Sequence, residues 1–269
     1  MTTTVLSIAG VDPSGGAGLL ADVKTFSALG GYGMGIVTAL TAQSTQGVTG
    51  VSPVDPSFVR AQWDTLADDI LPDAIKIGML GSTQITETVA GIIDDYRARG
   101  GEHVVLDPVM VATSGDRLLD PDAEAAVRGI ISRASLITPN LPEAAVLLGV
   151  DEAIDQDGMR EQAQALLELG AQRVLVKAGH LEGPTAVDLY QDAEGLQEFS
   201  ANRVDTRNTH GTGCTLSSAI ACLRSQRGSW ALACEQAKQW LTRALEHADA
   251  LAVGQGHGPV HHFWNQWED

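Results

Sequence analysis

Short β-branched apolar runs alternate with longer amphipathic segments through the first 176 residues, and this alternation restricts the fold more than any other feature. Residues 5–9, 35–42, 74–77, 103–106, 136–138 and 173–176 read as strands, most of them apolar throughout, as strands covered on both faces are. Helical patterns fall between them at 18–29, 56–70, 84–99, 121–132, 142–148 and 158–169. Asp55-Pro56 and Asp120-Pro121 have the form of an N-cap followed by proline at the first helical position. Such repetition predicts an α/β fold with a mostly parallel central sheet flanked by helices on both faces. The last third differs: 186–190 and 196–199, joined by the polar QDAEG, read as a hairpin, and helices follow at 213–226 and 230–252. No linker or repeat divides the chain, so 1–269 is expected to be one domain.

Charge and cysteine usage narrow the function classes. Thirty-four acidic against 17 basic side chains give a net charge of −17, which argues against binding nucleic acid or an anionic membrane. Residues 25–54 carry no charge, yet glycines and polar residues interrupt them, so they lack the ~20 consecutive apolar residues of a membrane span. The N-terminus shows no signal-peptide pattern, and Cys214, Cys222 and Cys234 have no CxxC spacing. Both observations fit a reducing, cytoplasmic setting.

In open parallel sheets, ligands gather beyond the carboxyl ends of the strands. Four loops there carry unusual residues. Residues 10–18, GVDPSGGAG, let the backbone approach a ligand closely. Gly16 to Ala21 also matches the GxGxxA dinucleotide fingerprint, but Gln43 stands where a ribose-binding acid belongs, so the match is weak, and a plain tight turn explains it equally. Asn140 followed by Glu143 is an ordinary capping box; the alternative is a carboxylate that holds Mg²⁺ and phosphate. Residues 208–214, NTHGTGC, open a helix with exposed N–H groups and about half a positive charge, an anion hole. A cysteine in that position is set for a lowered thiol pKa, although a small packed cysteine is as common a reading. His257, His261 and His262 invite a metal, but their spacing favours a loop that closes over the sheet edge. GxxxxGK[ST], GxSxG and HExxH are all missing, which disfavours P-loop ATPases, the usual hydrolases and zincins.

Taken together, AGVDPSGGAGLLADVKTFSALGGYG, KIGML (76–80), LDPVMVATSGD (106–116), LITPNLPEA (136–144), LVKAGH (175–180), RNTHGTGCTLSSAIA and GPVHHF resemble the bacterial hydroxymethylpyrimidine/phosphomethylpyrimidine kinases of thiamine biosynthesis, in collinear order over nearly the whole chain. The resemblance implies a ribokinase-like three-layer sandwich, a homodimer, and ATP with Mg²⁺. It implies that the pyrimidine contacts Gly10, Ala17, Asp22, Gln43, Met79 and Val109. Gln43 and Asp22 are suited to an aminopyrimidine edge, since an amide both donates and accepts and a carboxylate accepts from the amino group. Asn140, Glu143, Lys177, Thr209 and His210 would face ATP, with Asp107 and Glu143 near the metal. Gly211, Thr212, Gly213 and Cys214 would receive the transferred phosphoryl group. Cys214 occupies the place where wider ribokinase-like enzymes put an aspartate base, and a thiolate favoured by the helix N-terminus could serve instead. Thr113 stands where some relatives carry a lysine, and the 106–116 loop has no cysteine, which leans toward the pyrimidine-restricted group. Pyridoxal kinases of the same superfamily are the alternative, a non-catalytic pyrimidine binder a further one, and a NAD-dependent dehydrogenase the weakest.

Overall fold

The computed structural model describes residues 2–110, 121–179, 181 and 183–267. Thr113 and His180, the Asp120 cap and the rest of the 111–120 loop lie outside the described residues.

The expected strands become β1 (Thr4–Val11), β2 (Tyr32–Ser44), β4 (Ala74–Ile77), β5 (His103–Leu106), β6 (Leu136–Ile137) and β7 (Val174–Val176). The hairpin is β8 (Thr185–Asp192) and β9 (Gly195–Asn202). One strand was not foreseen. After Ser44 the chain turns back through two residues into β3 (Gly47–Pro53), which pairs antiparallel with β2. Its GVTGVSP sequence is mostly exposed and gives little apolar signal. Among the described residues, the nine strands form one sheet in the order β3-β2-β1-β4-β5-β6-β7-β8-β9. The strands from β2 to β7 in that order are parallel neighbours, and β3, β8 and β9 add antiparallel edges.

The helices are α1 (Gly18–Ala28), α2 (Pro56–Ala67), α3 (Thr83–Ala98), α4 (Glu124–Ile130), α5 (Leu141–Leu148), α6 (Gln156–Glu168), α7 (Thr212–Arg227) and α8 (Trp230–Glu246). Asp55 caps α2 by accepting from Ser57 N–H, as its sequence predicts. The helix expected over 230–252 ends at Glu246 and continues as a short 3₁₀ turn over Ala248–Leu251. None of the described helices is long and apolar enough to cross a membrane.

Alternation along the strands sends side chains to two separate cores. Leu6, Ile8, Ile75 and Ile77 meet α2 to α6 on one face, where Trp63 packs edge-on against Tyr96 at 6.2 Å. Val5, Ala74, Val105 and Leu136 meet α1, α7 and α8 on the other. The result is the three-layer sandwich. Register matters most for function: Ile8 pairs with Ile77, Ile77 with Leu106, and Leu106 with Ile137. The strands therefore stop in line, and Gly10, Met79, Asp107, Asn140 and Lys177 follow along one edge of the sheet.

Candidate active site

The loop after β1 is wound around a carboxylate. Asp12, almost fully buried, accepts from Ser14 N–H (2.8 Å), Ser14 Oγ (2.8 Å) and Ala17 N–H (3.0 Å), and lies 2.7 Å from His210 Nε2. Burial pushes its pKa up, but the bonds from His210 and Ser14 outweigh this and hold it below the ordinary carboxylate range. The Asp12–His210 pair ties the glycine loop to the loop that opens α7. Gly211 makes that approach close: it sits at φ 76°, and a Cβ there would lie 1.8 Å from Gly16 O.

Gly211 caps α7 without a side chain, so no N-cap side chain covers the N–H groups of the first turn, which keep their partial positive charge. Thr212 Oγ1 donates to Thr209 O (2.5 Å), which closes the turn. Gly213 faces a charged corner of the site: a Cβ on it would stand 3.3 Å from Lys177 Nζ and 3.6 Å from Asp107 Oδ2.

At that end three charges share a buried corner. Lys177 Nζ lies 2.9 Å from Asp107 Oδ1 and 3.7 Å from Glu143 Oε2. Asp107 Oδ1 also accepts from Thr138 Oγ1 (3.0 Å). The capping box at the start of α5 is formed, with Glu143 N–H donating to Asn140 Oδ1 and Asn140 N–H to Glu143 Oε2, both at 2.8 Å. Capping and a site role coexist, because Asn140 and Glu143 also line the cavity. Burial works against the Lys177 charge, but Asp107 and then Glu143 hold its pKa above the lysine range. Burial pushes Glu143 up to about 7, opposed by Lys177 and reinforced by Asp107.

These groups open into one cavity of about 670 Å³. Gly10, Ala17, Gln43, Met79 and Val109 line one end of it, and Thr209, His210 and the 211–214 segment form its middle. Thr41 Oγ1 donates to Val11 O (2.9 Å) and lies 3.1 Å from the side-chain amide of Gln43, beside the cavity. His210 lines the cavity, but its ring is engaged by Asp12 and its N–H by Gly258 O (3.0 Å).

Two expectations need correction. Asp22 does not line the cavity. It is fully buried on the inner face of α1, where Lys76 Nζ donates to both its oxygens at 2.8 Å, with Ser7 Oγ at 2.6 Å and Ser218 Oγ at 2.7 Å. Burial opposes the Lys76 charge, but Asp22, then Cys214 and Asp107, hold its pKa above the ordinary range. This satisfied pair lies beneath the cavity floor and leaves no free carboxylate for an amino group.

The second correction is Cys214. Its place in the first turn of α7 suggests an acidified thiol, yet burial pushes it up to about 11. Lys76 and a bond from Gly18 N–H pull the other way, but Asp22 and Asp107 add to the burial. The balance favours the protonated thiol over the thiolate.

This geometry can be set beside known proteins. Residues 12–261 match the phosphomethylpyrimidine kinase family. The chain belongs to that family. It is 51% identical over 97% of its length to the hydroxymethylpyrimidine/phosphomethylpyrimidine kinase of Escherichia coli, and covers 98% of that protein. Among solved structures, the phosphomethylpyrimidine kinase of Clostridium difficile superimposes with a TM-score of 0.80 at 37% identity, covering 91% of this chain and all of that one (100%). An ADP complex of Bacillus subtilis pyridoxal kinase superimposes with a TM-score of 0.87 at 35% identity, over 97% of this chain and 98% of that one.

In this member of the phosphomethylpyrimidine kinase family, the C-terminal histidines do not gather. His262 Nε2 meets Thr215 Oγ1 at 3.1 Å, and burial, with Lys24 and His261, drops its pKa to about 3, so it is neutral. His261 N–H donates to Ala244 O, while His257 Nδ1 is 3.1 Å from Arg207 O. Among the described residues, no group of three or more His, Cys, Asp or Glu is placed to hold a metal.

The sequence reading missed several residues that line the cavity, among them Asp12, Asp188 and Lys238. Asp12 was legible as the one acid inside the glycine loop. Asp188 and Lys238 also line the cavity, from β8 and α8, but no motif marks them.

Proposed function

We propose that the protein transfers the γ-phosphoryl group of ATP to the hydroxymethyl oxygen of 4-amino-5-hydroxymethyl-2-methylpyrimidine, and then a second phosphoryl group to the monophosphate, in thiamine biosynthesis. The observation that carries this reading is one cavity with Gln43 at one end and, facing it, an uncapped helix N-terminus beside Lys177, Asp107 and Glu143. The bond from the γ-phosphorus to the bridging oxygen breaks, a bond to the hydroxymethyl oxygen forms, and ADP leaves. Such transfers run through a loose transition state, so positioning and charge stabilisation dominate. The first N–H groups of α7 receive the equatorial oxygens, and Lys177 neutralises the charge on the leaving side. The acceptor hydroxyl keeps its proton until late and then releases it to solvent, which suits a Cys214 that stays protonated.

Mg²⁺ fits the donor set. It prefers one or two carboxylates and fills the remaining positions with phosphate oxygens and water. Glu143, desolvated and 3.7 Å from Lys177 Nζ, is a carboxyl that gains from a further positive charge. Asp107 and Glu143 would hold the ion on the nucleotide, where it offsets phosphate charge. Because burial raises the Glu143 pKa to about 7, its ionised fraction grows as pH rises through neutrality. Affinity for Mg-ADP should therefore rise as pH increases from 6 to 8, and Glu143→Gln should flatten that dependence in a calorimetric titration.

The reading carries with it a cytoplasmic homodimer whose single catalytic domain spans both cores. Its direct test is ADP release from Mg-ATP with three acceptors: the hydroxymethylpyrimidine, its monophosphate and pyridoxal. Turnover of both pyrimidines with little of pyridoxal is the expected result. Dominant pyridoxal turnover, the reading favoured by the likeness to the Bacillus subtilis enzyme, would move the protein to that activity. No turnover at all would leave a pyrimidine-binding protein.

A further inference from the structure

Beyond the phosphate corner the cavity wall holds an ion pair without a place in the phosphoryl-transfer chemistry. Lys238 Nζ lies 2.8 Å from Asp188 Oδ2, and the two residues are 8% and 6% exposed. Asp188 Oδ1 accepts from the N–H of Ala178, the residue after Lys177, at 3.2 Å. The pair thus stands next to the group that serves the phosphates. On its far side the wall turns apolar, with Ala186 and Ala201 from the β8–β9 hairpin opposite Leu241 and Leu245 of α8. Lys238, Leu241, Thr242 and Leu245 fall at helical spacings of three and four, so one face of α8 carries the ammonium and the apolar wall together.

A buried ion pair of this kind does little for stability, since desolvating both charges offsets most of their attraction. Its chemistry is better matched to a ligand. An ammonium has three donors and Asp188 takes one of them, while each carboxylate oxygen keeps lone-pair capacity beyond the bond it accepts. Together they offer a donor and an acceptor side by side, the complement of two neighbouring hydroxyl groups. A nucleotide with its phosphates at Lys177 and its base between Ala186, Ala201 and Leu241 brings its sugar to this place.

We infer that Lys238 and Asp188 bind the ribose 2′- and 3′-hydroxyls of the nucleotide and make the enzyme selective for ribonucleotides. The inference rests on the kinase reading and deepens it. Neither residue touches the reacting phosphorus, so their effect belongs to nucleotide binding.

The test is direct binding of ADP, 2′-deoxy-ADP and 3′-deoxy-ADP, each with Mg²⁺, by calorimetry on the full chain. The wild type should bind at least one deoxy form about tenfold or more weakly than ADP, the range for hydrogen bonds to charged groups. Lys238→Met should bring ADP down to the level of that deoxy form, while Lys238→Arg should keep discrimination. Equal wild-type affinity for all three nucleotides overturns the inference and leaves the kinase reading intact, and this comparison needs no variant. Equal weakening of ADP and the deoxy forms by Lys238→Met also overturns it, since that is the signature of a phosphate contact. If the wild type binds no ADP, the kinase reading itself fails.

Discussion

Lys177→Met is expected to lower kcat/KM for the pyrimidine kinase reaction by about 10³-fold, the scale seen when a positive group aimed at a transferring phosphoryl is removed. The ammonium lies between Asp107 and Glu143, and Gly213 brings the α7 backbone against it. Without it, two buried carboxylates lose their shared counter-charge and phosphate meets net negative charge. The same change should destabilise the fold by about 3–5 kcal/mol, the usual result of orphaning a buried charge. Thermal unfolding and steady-state kinetics separate the two effects, and Mg-ADP should restore less of the Tm than it does in the wild type. A kcat/KM within tenfold of the wild type would remove Lys177 from the phosphate site.

The second large effect belongs to Cys214. Cys214→Ala should lower kcat by about 10²-fold, as loss of one group at an anion hole does. The pH profile then distinguishes two roles. A thiol that titrates at about 11 is ionised only to about one part in 10⁴ at pH 7, so a thiolate base would make kcat rise about tenfold per pH unit. The geometry instead predicts a flat profile between pH 7 and 9, with Cys214→Ser keeping more activity than Cys214→Ala. A steep rise in the wild type that vanishes in Cys214→Ala would establish the thiolate. An unchanged kcat in Cys214→Ala would reduce the residue to packing.

Much of this site could be read in the sequence because most of the central strands are short and largely apolar. Runs such as AIKI and HVVL end where a charged or glycine residue begins, so the loops that follow were already marked as the site edge. The Asn140–Glu143 box was legible for the same local reason, since its partners are three residues apart. What sequence could not show were partners far apart in the chain. Asp22 looked available because Lys76, its neutralising neighbour, lies 54 residues away and Ser218 lies 196 away. For Cys214 the local signal carried only one of two opposing influences. A helix N-terminus lowers a thiol pKa, while the desolvation that opposes it comes from elements the local motif does not contain. The β3 strand escaped because an exposed edge strand needs no apolar pattern.

The Asp12–His210 tie has a consequence for how the protein is made. Its two halves are 198 residues apart, and the bond joins the first loop of the chain to the last third. Contacts of such separation close late, because the loop entropy must be overcome before the contact forms. During synthesis, the glycine loop, β1 and α1 emerge long before the segment that completes them. A nascent or truncated chain lacking residues 208–214 therefore lacks the start of α7 that lines the cavity, however well its first strands have folded. Catalytic competence and completion of the fold arrive together.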